Sequence, residues 1–261
     1  MAKLNIHRLI EAAQEKAPVA QSFLTDLKIA IEKYDQLNSR KPSKSYKPSS
    51  MSCIRIMYFQ IIGEEKDPGR SSYQLIGMGN SGSSRHDQLQ EVISNMTLFN
   101  MDCEYINVAD FVKERKLDYL EIVKQQGHET KLYNKDLNIS FLCDGIIKYK
   151  GKYYVLEIKT ESTYKFGPRV DVAFEHHIQG TAYSMNLGLD SVIFLYENRD
   201  CCDLKTYEFV VSEQMKLDVI AKIELCDTYV SKLIPPPFPI DISKKTCSYC
   251  NYRHACKKAG K

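Results

Sequence analysis

The sequence predicts an α/β fold for this chain of 261 residues. Helical spacing of apolar residues changes near residue 129 to short runs rich in Ile, Tyr, Val and Phe. Helical and strand-like patterns then alternate as far as residue 234, which is typical of α/β proteins. A chain of this length suits one α/β domain with an appendage, or two small domains.

The first elements are predicted to be helices separated by a polar linker. Residues 5–37 have helical periodicity, and Pro18 either divides this segment or starts a second helix. The polar, basic stretch 38–50 contains two prolines and is predicted to be a loop. A further helix is predicted to begin near Ser52 and to end at Gly63.

A glycine-rich run at 77–82 is predicted to be a turn before a helix of about 83–99. Its glycine spacing does not match a nucleotide-binding loop. A helix is predicted next at about 110–126. The remaining predicted elements are strands at 129–133, 137–149, 152–160, 191–197 and 204–211, and helices at 172–187 and 212–234.

The composition excludes several classes of protein. Hydrophobic residues make up 43% and charged residues 26%, so the chain is not disordered, collagen-like or a coiled coil. It has no run of 18 apolar residues, and its first residues lack the apolar region of a secretory signal, so we expect a cytoplasmic location. The net charge of +3 is too small to indicate nucleic-acid binding by itself.

The most informative segment runs from Phe141 to Thr160. The dipeptide Lys150–Gly151 suits a two-residue hairpin turn, and pairing across it places Asp144 opposite Glu157. Opposed residues share a face of the sheet, and Lys159 shares it too. Opposed carboxylates destabilise a sheet, and a divalent cation such as Mg²⁺ or Mn²⁺ would remove the conflict. The alternative is that this face is simply solvated.

The three charged residues of this hairpin have the spacing Asp-x12-Glu-x-Lys, which resembles the signature of the PD-(D/E)XK nucleases. The departure is Cys143, which stands where the family often has proline. Residues 84–90, with His86 among them, resemble the helical histidine motif of the RecB-like branch. Gln179 and Tyr183, which share a helix face, resemble its Gln-x-x-x-Tyr motif. Each motif alone fits an ordinary surface or packing role, and their joint occurrence in the family's order carries the resemblance.

Nine cysteines are an odd number, which argues against a disulfide framework in a reducing compartment. Three of them form a C-x2-C-x5-C cluster near the C-terminus: Cys247, Cys250 and Cys256. Three thiolates are one ligand short of a closed tetrahedral site. The fourth ligand is either His254, which would make a zinc knuckle, or the distant Cys53. The remaining five are predicted to be small core residues: Cys103, Cys143, Cys201, Cys202 and Cys226.

The cysteine pattern resembles the iron–sulfur subset of RecB-like nucleases, which includes the AddB nuclease and the CRISPR-associated exonucleases. That resemblance implies four ligands for one [4Fe–4S] cluster: Cys53, Cys247, Cys250 and Cys256. Such a cluster would join distant parts of the chain and restrict the unfolded state. The implied organisation is an N-terminal helical segment and basic linker at 1–49 and a nuclease domain at 50–261, with the cysteine tail at 241–261.

The resemblance also implies the fold and the activity. The fold would be a restriction-endonuclease-like core, a mixed central sheet flanked by helices, with a helical, cluster-binding lobe formed by the N- and C-terminal segments. The activity would be Mg²⁺- or Mn²⁺-dependent cleavage of DNA, most often by an exonuclease acting on single-stranded ends. The implied metal ligands are His86, Asp144, Glu157 and the carbonyl of Ile158. Lys159 would orient the attacking water or stabilise the developing charge, and Gln179 and Tyr183 would position the strand.

The implied setting is recombination, repair, phage replication or CRISPR adaptation, in a prokaryotic or phage-infected cell. The expected partners are DNA and other proteins of those processes, and no membrane is expected. Two alternatives remain open: a DNA-binding subunit that is stapled by a cluster and has a vestigial nuclease site, and an interaction protein stabilised by zinc.

Overall fold

The computed structural model describes residues 18–37, 44–67, 72–239, 242, 247, 248 and 250–260. These residues divide into two compact units. The first contains 18–37 and 72–80, and the second contains 44–67 and the described residues from 81 onward. The helical segment predicted before residue 18 lies outside the described residues.

The described residues form eight strands and eight α-helices. In chain order the strands are β1 (Cys103–Ile106), β2 (Leu120–Gln126), β3 (Glu129–Asn134), β4 (Ile139–Cys143), β5 (Gly145–Tyr149), β6 (Lys152–Glu161), β7 (Ser191–Asn198) and β8 (Leu204–Val210). The helices are α1 (Pro18–Leu37), α2 (Ile54–Ile62), α3 (Tyr73–Ser94), α4 (Val108–Glu114), α5 (Thr163–Phe166), α6 (Phe174–Leu187), α7 (Glu213–Lys232) and α8 (Arg253–Lys258). Among them, no helix has both the length and the apolar character needed to cross a membrane.

The second unit is built on a mixed five-stranded sheet with the order β1-β5-β6-β7-β8. Strands β6 and β7 run parallel, and the other neighbouring pairs run antiparallel. A second, antiparallel sheet has the order β2-β3-β4. The predicted α/β class, with a mixed sheet flanked by helices, is therefore confirmed. The strands and helices predicted from residue 152 to residue 234 are also confirmed, with bounds that differ by at most two residues.

Helices cover both faces of β6. Successive side chains of a strand point to opposite faces, so Leu156 and Ile158 face one way and Glu157 and Lys159 face the other. Leu156 and Ile158 form a buried cluster with apolar residues of α3. Lys159 meets α6 through a hydrogen bond to Gln179. The charged residues of the hairpin therefore lie under α6, on the opposite face of the sheet from the α3 cluster.

The predicted single strand at 137–149 is wrong, because the chain leaves the antiparallel sheet at Cys143 and enters the mixed sheet at Gly145. Asp144 is the junction between the two sheets. The hydroxyl of Tyr105 donates to the carbonyl oxygen of Asp144 at 2.7 Å. The Tyr105 ring packs so closely against Gly145 that a Cβ atom there would lie 2.6 Å from it. The lack of a side chain at Gly145 therefore permits this contact.

Two other predicted elements are wrong. The run at 77–82 is not a turn, because α3 continues through it. Its Gly82 lets the helix approach β6, where an added Cβ atom would lie 3.1 Å from Oγ1 of Thr160. The predicted helix at 110–126 ends at Glu114, since residues 120–126 pair with β3 instead. By contrast, α2 ends at Gly63 as predicted, with a positive φ of 78° at that glycine.

The cysteines predicted to lie in the core are buried at three positions: Cys103, Cys143 and Cys226. The prediction is wrong for Cys201 and Cys202, which are exposed in the turn between β7 and β8. Cys202 adopts a positive φ of 60° there, which is uncommon for a residue other than glycine. A short turn at the edge of the sheet leaves no apolar surface to cover these thiols.

Candidate functional site

The β5–β6 hairpin has the predicted register. Lys150 and Gly151 both have positive φ angles, 49° and 79°, as a type I′ turn requires. Tyr149 pairs with Lys152, and the register continues to the pair Gly145–Leu156. One further step places Asp144 opposite Glu157. At that point the two strands separate, and Oδ2 of Asp144 accepts a hydrogen bond of 2.8 Å from the backbone N–H of Ile158.

Four residues predicted to be catalytic form one hydrogen-bonded network between β6 and α6. The ammonium of Lys159 donates to Oε1 of Glu157, and to Oε1 of Gln179 at 3.1 Å. The Gln179 amide donates to Oε1 of Glu157 at 2.8 Å and to the Tyr183 hydroxyl at 2.9 Å. The Glu157, Gln179 and Tyr183 side chains of this network are buried.

Burial and mutual charge set the protonation of this network. Burial raises the pKa of Asp144 and of Glu157, and the ammonium of Lys159 opposes that rise. Burial also disfavours the charged form of Lys159, but the two carboxylates outweigh it and raise the pKa of the lysine. Oε2 of Glu157 is buried and has no hydrogen-bond partner among the described residues. An unpartnered carboxylate oxygen in this position is costly, and a cation would stabilise it.

His86 reaches the same site from α3. Its Nδ1 lies 3.8 Å from Oδ2 of Asp144. Burial lowers the pKa of His86, so its imidazole is neutral at neutral pH and one ring nitrogen can act as a ligand. The neighbouring Arg85 holds this part of the helix in place, because its Nε lies 3.0 and 3.1 Å from the two carboxylate oxygens of the fully buried Glu197.

Glu129 also belongs to the site and was missed in the sequence. Ligand atoms of His86, Glu129 and Asp144 all lie within 4.8 Å of one another. In the β3–β4 hairpin Thr130 pairs with Cys143, and one further step places Glu129 opposite Asp144. The same pairing arithmetic that located Glu157, applied to the turn between β3 and β4, would have located Glu129.

The donor atoms of the site suit a hard divalent cation. The imidazole of His86 and the carboxylates of Glu129 and Asp144 lie within 4.8 Å of one another, and Glu157 lies opposite Asp144 across the hairpin. Carboxylate oxygens with one imidazole nitrogen favour Mn²⁺ or Mg²⁺. The buried, unpartnered oxygen of Glu157 is an independent indication, since nothing else among the described residues satisfies it. The residues therefore fit the metal that the nuclease motifs imply.

The four cysteines predicted to bind a cluster line one cavity of about 720 Å³: Cys53, Cys247, Cys250 and Cys256. His254, the other candidate for the fourth ligand, does not line it. The His254 side chain is 81% exposed, and its Nδ1 lies 3.3 Å from Oδ1 of Asp67. Of the two candidates for the fourth ligand, only Cys53 is placed to bind the same metal or cluster as the tail cysteines.

In the arrangement described, no three of the cysteine sulfur atoms are close enough together to bind one zinc ion. Zn–S bonds of about 2.3 Å in a tetrahedron place the sulfurs roughly 3.8 Å apart. Among the described residues, which include all nine cysteines, no three sulfurs lie within 4.8 Å of one another. The cavity therefore has room for a group larger than a single zinc ion.

Arg55 adds a positive charge to this cavity. The residue is buried, and its guanidinium donates to the carbonyl oxygen of Pro236 at 2.8 Å, and to the carbonyl oxygen and Sγ of Cys256 at 2.9 and 3.3 Å. Within the described residues, no carboxylate forms an ion pair with it. Burial raises the pKa of Cys53 and of Cys250, so both are thiols without a metal. A buried cation beside thiols favours an anionic group, which a thiolate-ligated cluster would supply.

No family model matches the chain. No curated protein matches it either. One solved structure, that of a protein named SSO0001, is similar to this chain with a TM-score of 0.49 and 18% sequence identity. The match covers 92% of this chain and 99% of SSO0001.

Proposed function

We propose that this protein is a metal-dependent nuclease that hydrolyses phosphodiester bonds in DNA. The observation that carries the proposal is the network of Glu157, Lys159 and Gln179 beside Asp144, in which one buried carboxylate oxygen of Glu157 has no partner among the described residues. Keeping opposed carboxylates buried is costly unless a cation uses them. A structural role alone gives no reason to retain that cost.

Each residue has a role that its contacts support. Asp144, Glu157 and His86, together with the carbonyl of Ile158, hold Mg²⁺ or Mn²⁺. When bound, the cation lowers the pKa of a water molecule and neutralises negative charge on the phosphate. Lys159 keeps its proton beside the carboxylates and stabilises the charge that develops on the phosphate.

Gln179 and Tyr183 act as positioning residues. The Gln179 amide binds both Glu157 and Lys159, so it fixes the carboxylate relative to the ammonium. The Tyr183 hydroxyl accepts from the same amide and sets its orientation. Placing reacting groups in a fixed arrangement lowers the entropic cost of reaching the transition state. In the proposal, this arrangement also sets where the DNA strand lies.

The proposed substrate is DNA, with single-stranded ends preferred, and the proposed reaction is exonucleolytic. The motif set around Asp144 supports this part, as does its order along the chain. The proposed setting is recombination, repair, phage replication or CRISPR adaptation, with other proteins of those processes as partners.

The four cysteines of the cavity hold a [4Fe–4S] cluster in this proposal. The size of the cavity supports a cluster over zinc, and so does the buried guanidinium of Arg55. Cys53 immediately precedes α2, whereas the other three ligands lie in the C-terminal tail. The cluster would therefore tie the tail to α2 and stabilise both.

Cation-dependent digestion of end-labelled single-stranded DNA tests the proposal. We expect anaerobically purified protein to cut the strand with Mn²⁺ or Mg²⁺ and to stop when EDTA is added. Glu157→Gln should abolish cutting, and Glu121→Gln is a matched control because Glu121 is exposed on β2. Undiminished cutting in excess EDTA, or by Glu157→Gln, would contradict the proposal. DNA binding without cutting would favour a binding subunit with a vestigial site.

A further inference from the structure

The backbone carbonyl of Asp144 accepts hydrogen bonds from two side chains. Asp144 itself lies outside both strand registers, since one ends at Cys143 and the other begins at Gly145. The Gln90 amide of α3 donates to its carbonyl oxygen at 2.6 Å, and the Tyr105 hydroxyl of β1 donates to it at 2.7 Å. The backbone at the junction of the two sheets is therefore fastened at one atom by two other elements.

These two side chains also connect Asp144 to the segments that carry other candidate ligands. Gln90 follows His86 by one helical turn on the same face of α3, so its bond to Asp144 fixes how closely that face approaches. The Tyr105 hydroxyl also lies 3.1 Å from the carbonyl oxygen of the residue immediately before Glu129. Its single proton is therefore shared between the backbone at Asp144 and the backbone beside Glu129.

Gln90 is a costly residue at its position. It is fully buried, and its Oε1 has no partner among the described residues. Its neighbours Leu89 and Ile93 on α3 pack against a buried apolar cluster that includes Ile158. Burying an amide with an unsatisfied oxygen costs free energy that an apolar side chain would avoid. The hydrogen bond to Asp144 is the contact that an apolar side chain could not make.

We infer that Gln90 and Tyr105 are positioning residues of the cation site. They hold Asp144 at the distance from His86 and Glu129 that one cation requires. The inference rests on the proposed function, because that proposal supplies the cation. The ligand atoms of these three residues lie within 4.8 Å of one another, and they come from three separate segments of the chain. Residues that orient metal ligands without touching the metal typically change its affinity by roughly 10- to 100-fold.

Mn²⁺ affinity measures this role without measuring activity. Anaerobically purified, chelator-treated protein is titrated with Mn²⁺, and the free ion is quantified by EPR. Gln90→Met keeps a long, unbranched side chain and removes the amide, whereas Tyr105→Phe removes one oxygen atom. Each should weaken Mn²⁺ binding by about 10- to 100-fold, although every proposed ligand is still present.

Two matched controls separate positioning from stability. The buried Gln60 of α2 donates its amide to the carbonyl oxygen of Ser45 at 2.8 Å, and the Tyr119 hydroxyl donates to that of Asn186 at 3.0 Å. Neither acceptor lies in a segment that carries a proposed metal ligand. Gln60→Met and Tyr119→Phe therefore remove the same kinds of hydrogen bond away from the ligands. In chelator they should lose about as much stability as the site variants, but they should bind Mn²⁺ with the parent's affinity.

A site variant that binds Mn²⁺ as tightly as the parent would overturn the inference for its residue, and an equal loss of affinity in the controls would overturn it for both. If Gln90→Met does not fold, as judged by circular dichroism, Tyr105→Phe decides alone, because its ring keeps the contact with Gly145. Parent protein that binds Mn²⁺ but cuts no DNA would refute the nuclease, whereas weakened binding in the two variants would still support the positioning role. Parent protein that binds no Mn²⁺ would overturn both.

Discussion

The backbone N–H of Ile158 donates a hydrogen bond of 2.8 Å to Oδ2 of Asp144, on the neighbouring segment of the hairpin. This bond holds the carboxylate against β6 at the point where the two strands separate. The Asp144 side chain is therefore oriented by a backbone N–H, which a substitution of the Ile158 side chain would leave in place. Variants at Asp144 should therefore report on its charge and not on a collapse of the site.

Asp144→Asn removes that charge and can keep the hydrogen bond from Ile158. We expect cation-dependent cleavage to fall at least about a hundredfold, in the range seen when charge stabilisation is lost at an active site. In chelator the variant should be at least as stable as the parent, because one of two opposed buried carboxylates is gone. Cleavage rates and thermal unfolding in EDTA measure the two effects. A less stable variant would indicate that Asp144 has a structural role.

Gln179→Leu and Tyr183→Phe separate the two positioning residues. Gln179→Leu removes the contacts to Glu157 and Lys159, so we expect kcat to fall at least tenfold. Tyr183→Phe removes only a hydroxyl that accepts from Gln179, so it should cost about 0.5–1.5 kcal/mol of stability and change kcat far less. Steady-state kinetics with a short labelled strand, together with denaturant unfolding, distinguishes the two. Equal losses of kcat would refute the assigned division of roles.

Cys53→Ser and His254→Ala discriminate a cluster from a zinc knuckle. Cys53 lines the cysteine cavity and His254 does not. We expect anaerobic parent protein to be brown with about four irons per chain. Cys53→Ser should bleach it and His254→Ala should not. Metal analysis and visible absorbance measure both. Stoichiometric zinc that survives Cys53→Ser and is lost in His254→Ala would establish the knuckle instead.

His176 should make stability depend on pH. Burial, together with the charges of Lys159 and Arg169, lowers the pKa of His176 to about 3, whereas in the unfolded chain it is about 6.5. The unfolded chain therefore binds a proton first as the pH falls below about 6.5, and stability is lost between there and pH 3.

His176→Gln keeps a polar group near the Tyr196 hydroxyl, which lies 2.8 Å from Nδ1 of His176. All other titrating groups are common to the two proteins, so their difference reports on His176. Relative to this variant, the parent should lose about 2–3 kcal/mol of unfolding free energy between pH 7.5 and pH 4.5. Denaturant unfolding at the two pH values measures it. A difference that does not change with pH would show that folding does not lower the pKa of His176.

The sequence predicted the relative placement of those candidate-site residues that share a hairpin or a helix. Asp144 and Glu157 are joined by a hairpin whose turn residues set the register, and Gln179 and Tyr183 are one helical turn apart. Glu129 was missed because the strand through Asp144 was taken as continuous, which hid the second hairpin. The spacing of the cysteines left open whether Cys53 or His254 is the fourth ligand. The two are distinguished only by the folded structure, in which Cys53 lines the cavity and His254 is exposed.

Elements that tertiary contacts determine were predicted less well. Glycines normally weaken a helix, yet α3 continues through its glycine run, and at Gly82 the lack of a side chain permits the contact with Thr160. Residues 120–126 have helical periodicity but pair with β3, because a strand partner follows directly after a tight turn at Gly127, where φ is 57°. Periodicity does not reveal either contact.

The position of Asp144 at the junction of two sheets has a dynamic consequence. A cation bound at the proposed site, where Asp144 lies between Glu129 of one sheet and Glu157 of the other, would fasten the sheets to each other at this point. Without it, three like charges repel across the junction, so the antiparallel sheet should open more often. Adding Mn²⁺ should therefore slow amide hydrogen exchange in β3 and β4, at positions that never contact the metal.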